Sequence, residues 1–149
     1  MIKIERGSPT AAHWSQQQYE SMFATQDNLQ RREHIAWVAG DEAIPPEIES
    51  GQPFEIVGFL VAQRIDRDWE LENIVVAEAV RRRGVGTQLL GEFIAYARAQ
   101  QGAEIFLEVR ESNDNARALY RRAGFEETGL RDSYYSTPRE DAILCRLRL

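Results

Sequence analysis

Apolar residues recur along the chain at two spacings, and the changes between them mark out the elements. From Gly86 to Gln101, Leu89, Leu90, Phe93, Ile94 and Ala97 return at intervals of three and four, which predicts an amphipathic helix ended by Gly102. Phe54 to Ile65 and Trp69 to Val76 are β-rich runs separated by Asp66-Arg67-Asp68, and they predict a hairpin. Ile105 to Val109 is apolar enough to suggest a central strand buried on both faces. A second helix is expected over Asn115 to Ala123, stopped by Gly124, with two closing strands near Glu126 to Tyr134 and Asp141 to Leu149.

Upstream, Ile2 to Arg6 alternates like a short strand, and Ser8-Pro9 offers a cap and first-turn proline for a helix. Trp14-Ser15 reads as a break and a second cap, after which Tyr19, Met22 and Phe23 share a helical face. His34 to Ala39 is a short strand. Asp41 to Pro53, with Pro45, Pro46, Gly51 and Pro53, is a long loop. The order is that of a mixed α/β fold with antiparallel strands at both ends and a central βαβ unit. About seven strands are expected. No repeat or linker divides residues 1–149, so one domain is expected.

Composition narrows the function. A net charge of -6 argues against a nucleic-acid partner and favours a basic or amine-bearing one. The lone Cys145 cannot form an internal disulfide, and no Cys/His cluster has metal spacing, so no metal is expected. No run approaches the roughly 18 apolar residues of a membrane span, and the N-terminal residues lack a signal-peptide pattern, so a cytoplasmic protein without a membrane partner is expected. His13 and His34 show no partner at ligand spacing and read as structural or exposed.

Against the overall acidity, Arg81, Arg82 and Arg83 stand together before Gly84-Val85-Gly86-Thr87 and the start of a helix. Glycines let a backbone approach phosphate closely, and first-turn amides with the helix dipole favour an anion. Neither a Walker loop nor a Rossmann fingerprint is present. Alone, the run would be an ordinary turn beside solvated charges. It resembles, however, the Arg/Gln-x-x-Gly-x-Gly/Ala loop of the GNAT acetyltransferase family, matched here by Arg81, Gly84 and Gly86. Glu108 to Phe125 is similar to the Leu-Glu-Val-Arg-x-Ser-Asn-x-x-Ala-x-x-Leu-Tyr-x-x-x-Gly-Phe signature of bacterial ribosomal-protein-alanine N-acetyltransferases within that family. Arg131 to Tyr135 and Glu140 to Ile143 resemble their C-terminal pattern. The long 41–53 loop and Ser136, which stands where that pattern has proline, depart from it.

The resemblance implies a twisted sheet splayed to hold acetyl-coenzyme A. Ile74, Val75 and Val76 would lie along the pantetheine arm, and the amides from Arg82 to Thr87 would hold the pyrophosphate. A backbone N–H near Val75 would polarise the thioester carbonyl. Amine acetylation needs a base for the amine and an acid for the departing thiolate. By resemblance these are Glu108, expected to be partly desolvated, and Tyr120, with Asn113 bonding the coenzyme. Glu72 competes as base or acts as a helper. As ordinary residues, Glu108 would be a surface or ion-paired carboxylate, Tyr120 plain core and Asn113 a helix cap. Tyr134 and Tyr135 shape the acceptor groove or merely pack. The expected acceptor is a protein N-terminus, such as that of a ribosomal protein. The alternatives are a small amine, or acetyl-coenzyme A binding without turnover. The expected state is a monomer or weak homodimer.

Overall fold

The computed structural model describes residues 14–23, 33–40 and 56–149. The predicted strand at Ile2–Arg6, the helix at Ser8-Pro9, His13 and the loop from Asp41 to Pro53 lie outside the described residues. Within them the chain runs α1 (Gln16–Phe23), β1 (Glu33–Gly40), β2 (Ile56–Ile65), β3 (Asp68–Val76), a short 3-10 turn, α2 (Val85–Ala99), β4 (Glu104–Arg110), α3 (Asp114–Arg122), β5 (Glu126–Ser136) and β6 (Arg139–Arg148). The six strands form one sheet in the order β1-β2-β3-β4-β6-β5. Only β3 and β4 pair in parallel, joined by α2.

Local chemistry explains the helix starts. Ser15 and Gln18 form a reciprocal capping box: the Ser15 amide donates to Gln18 Oε1 at 2.8 Å, and the Gln18 amide to Ser15 Oγ at 3.3 Å. Asn113 caps α3 by accepting from the Ala116 amide at 3.2 Å. At Gly58 a Cβ would come within 3.1–3.3 Å of Val85, Val75 and Leu89. A bare backbone there lets the start of α2 sit close against the sheet.

Leu89, Leu90, Phe93, Ile94 and Ala97 of α2 are buried against Trp69, Leu71, Ile105 and Leu107. The Phe93 ring lies 5.3 Å from Trp37 and 5.9 Å from Trp69. The opposite face carries a smaller cluster of Tyr19, Phe59, Val61 and Val75, with Trp14 packed against it. Burial along β4 corrects one expectation. Ile105, Leu107 and Val109 are buried, but Phe106 between them is 39% exposed, so β4 alternates rather than being buried on both faces. Among the described residues, the cluster on that face draws on α1, β1, β2 and β3 and has no member on β4. No described helix is long and apolar enough to cross a membrane.

Because Phe93 is fully enclosed by aromatic neighbours, Phe93→Ala is expected to lower unfolding free energy by about 3–5 kcal/mol. Urea titration checks this, and a loss below about 1 kcal/mol would mean that the site is far less tightly packed than described.

Candidate active site

The site begins where the central strands stop pairing. β3 and β4 are in register at Trp69↔Ile105, Glu70↔Phe106 and Leu71↔Leu107, and no further. Beyond those pairs each strand keeps its outer neighbour: β3 stays with β2 as far as Val76↔Gly58, and β4 with β6 as far as Arg110↔Ala142. The sheet therefore forks. The next residues on its two arms are Glu72 and Glu108, the two carboxylates singled out by sequence.

A β-bulge sits at the same point. Val61 pairs with Asn73 and Ala62 with Leu71, so Glu72 is the extra residue. The bulge reverses the alternation of β3. Trp69 and Leu71 face the large core before it, whereas Ile74 does so after it, and Val75 joins the small cluster. The ladder also fixes the amides. Ala77 N–H donates to Val57 O at 2.8 Å, so alternation turns Val75 N–H toward β2 and leaves Ile74 and Val76 facing the fork. Near Val75, the amides that face the fork are thus those of Ile74 and Val76. Arg81 Nε donates to Val76 O at 3.1 Å from that side.

At the open end of the fork lies the glycine loop. Arg82 and Gly84 both have positive φ, 65° and 88°, and a Cβ on Gly84 would meet nothing within 4 Å. Gln88 N–H to Gly84 O, at 2.9 Å, is the first bond of α2, so the amides of Val85, Gly86 and Thr87 have no intrahelical acceptor. They form an anion seat at the positive end of the helix. On the far side, Leu119 of α3 approaches Gly86: a Cβ there would lie 3.6 Å from both Leu119 and Val76.

Together these surfaces enclose a cleft of about 1070 Å³. Its walls include Glu72, Ile74, Val75, Val76, Arg81, Arg82, Gly84, Val85, Gly86, Thr87, Glu108, Asn113, Tyr120 and Tyr135. Of the residues named from sequence, Arg83 and Tyr134 are not on its walls; both are exposed. Among the described residues, no group of three or more His, Cys, Asp or Glu could hold a metal ion.

The electrostatics separate the two carboxylates. Glu108 Oε1 accepts from Arg131 Nη1 at 2.7 Å, and the Arg131 guanidinium also lies 4.3 Å over the Tyr134 ring. Glu72 Oε2 lies 3.5 Å from Nε2 of His34, a contact for which sequence spacing gave no sign. Burial pushes the Tyr120 phenol well above its ordinary range, with Cys145 and Tyr135 adding to it, so the group stays protonated at neutral pH. Tyr135 is pushed up to about 12, again chiefly by burial. Cys145 is a buried thiol, pushed up to about 11 by burial and then by Glu127.

Sequence reasoning missed the support behind this wall. Arg110 pairs with Glu140 at 3.1 Å, donates to Thr137 O at 3.2 Å and lies 3.9 Å over the Tyr135 ring. Glu140 in turn accepts from the Ser112 amide at 2.6 Å. The sequence signals were the two family-like runs that hold Arg110 and Glu140, and the alternation of β4, which puts Phe106, Glu108 and Arg110 on one face.

A family model described as "Acetyltransferase (GNAT) family" matches residues 3–125. The chain belongs to the GNAT acetyltransferase family. It is 40% identical over 95 residues to the N-alpha-acetyltransferase RimI of Mycobacterium tuberculosis, a match covering 61% of this chain and 58% of that protein. The chain thus spans little more than half the length of that curated relative. Among solved structures it is similar to the ribosomal-protein-S18-alanine N-acetyltransferase of Escherichia coli, with a TM-score of 0.76 and 28% identity, covering 99% of this chain and 84% of that one. A GNAT acetyltransferase from Elizabethkingia anophelis with acetyl-CoA bound has a TM-score of 0.60 and 26% identity, covering 66% and 72%.

Hydrogen bonds from Ser112, followed by Arg110, hold the Glu140 carboxyl below its ordinary value of 4.5. A carboxylate lowered on folding stabilises the fold above its unfolded pKa and loses that contribution as pH falls through the folded one. The stability gap between wild type and Glu140→Gln is therefore expected at pH 7 and should close as pH drops below about 4.5. Thermal unfolding across pH measures this; a gap independent of pH would contradict it.

Proposed function

We propose that the protein transfers an acetyl group from acetyl-coenzyme A to a primary amine, and that the amine is the N-terminal α-amine of a protein such as a ribosomal protein. The observation that carries this reading is the forked sheet with an anion seat at its open end and two carboxylates at its apex. An extended, pyrophosphate-bearing thioester fits such a groove: its phosphates would meet the amides of Gly84 to Thr87, and its amide-rich arm would follow the free edge of Ile74 and Val76. Family membership and the bound acetyl-CoA in the Elizabethkingia neighbour support the donor. The ribosomal-protein acceptor in the name of the Escherichia coli neighbour supports the acceptor class.

In this reading Ile74 or Val76 N–H stabilises the oxygen that gains charge as the thioester is attacked. Glu108 takes a proton from the attacking nitrogen, held in place by Arg131. Tyr120, kept loaded by burial, gives its proton to the departing thiolate. Glu72 faces the same amine from the other arm of the fork.

Thiol release from acetyl-coenzyme A should be fast with basic peptides beginning with alanine and slow with small amines. Preference for a small amine would replace the acceptor, and binding without any turnover would favour a non-catalytic module. Glu108→Gln should lower kcat by about 100-fold while leaving acetyl-coenzyme A affinity nearly unchanged. Turnover equal to wild type would move the base to Glu72.

A further inference from the structure

His34 lies on β1, two strands away from the fork, yet its Nε2 is 3.5 Å from Glu72 Oε2. Both side chains are largely shielded, at 14% and 18% exposure. Glu72 is the extra residue of the bulge on β3, between the pairs Val61↔Asn73 and Ala62↔Leu71. Between them on β2, Gln63 pairs in register with His34 and with Glu70, and its amide donates to the Glu70 carboxylate. Among the described residues, Glu70 on β3 is bonded to the intervening Gln63, and across the fork stand Glu108 on β4 and its partner Arg131 on β5.

Resting on the acetyl-transfer reading, we infer that His34 and Glu72 act as a proton-accepting pair that neutralises the acceptor ammonium before attack, with His34 positioning Glu72 and sharing the proton. An α-ammonium must lose two protons to become an amide. The first passes to Glu72 and is shared with His34 Nε2, freeing the nitrogen electron pair that forms the N–C bond as the C–S bond breaks. The second leaves the nitrogen as that bond forms and goes to Glu108, while Tyr120 protonates the thiolate. Tyr120 regains the proton held by Glu108, and the His34–Glu72 proton is released to water, so one proton leaves per turnover.

The division follows from the partners. Glu108 is held in an ion pair by Arg131, a cation that never gives up its charge. Glu72 faces an imidazole, whose ordinary pKa of about 6.5 suits it to accept a proton near neutrality.

Two measurements test the pair on the full-length protein. The chain has two histidines, so the ring signals of His34 are assigned by comparing wild type with His34→Gln. The imidazole of His34 should titrate at least about one pH unit lower in Glu72→Gln than in wild type, because an adjacent carboxylate favours the charged ring. An unchanged titration overturns the pairing, and this arm needs no acceptor. With an accepted peptide, the acid limb of kcat/KM should report His34 in wild type and be lost in His34→Gln, with turnover reduced by about tenfold or more. A His34→Gln profile that is merely scaled down would leave His34 a structural role and overturn the relay. Failure of wild type to acetylate any amine would instead overturn the reading beneath it.

Discussion

The site depends on the loss of pairing between β3 and β4 after Leu71↔Leu107. Two parallel strands at the centre of a sheet would ordinarily continue their ladder, since unmet backbone groups are costly when buried. Here each strand remains bonded to its outer partner, and the large core under α2 holds the paired half together. The open half leaves a strip of strand edge that an extended ligand can complete. The bulge at Glu72 marks the boundary, reversing the faces of β3 and turning a carboxylate to the apex.

Around that opening the structure divides the charges by role. Amides and arginines gather at the mouth, where α2 begins, while carboxylates gather at the apex. A chain with a net charge of -6 thereby keeps an amide-lined, arginine-bearing mouth apart from the two carboxylates of the apex. The web of Arg110, Glu140, Thr137 and Tyr135 ties the β5–β6 end to the wall of the cleft. Arg131 reaches Glu108 from an irregular stretch of β5, where the register slips between Arg131 and Tyr135.

Much of this was legible in the sequence because it is written in periodicity and in local turns. The apolar spacing of α2, the caps at Ser15 and Asn113, and the glycine at position 84 each act within a few residues. The hairpin of β2 and β3 followed from its turn for the same reason. What stayed hidden is non-local. Strand alternation alone could not show the bulge at Glu72, nor which of the amides near Val75 face the fork. Nor could it bring His34 to Glu72, or Arg131 to Glu108, since both contacts cross strands distant in sequence. The expectation for β4 failed because apolar content does not reveal which sheet face a neighbouring element covers.

Amide hydrogen exchange with and without acetyl-coenzyme A reads out whether the open half of the sheet seats the coenzyme. New protection is expected at Ile74, Val76 and the amides from Gly84 to Thr87, with little change at Val75, whose N–H already faces β2. Tight binding that leaves Ile74, Val76 and the glycine loop unprotected would contradict the forked sheet as the coenzyme's seat.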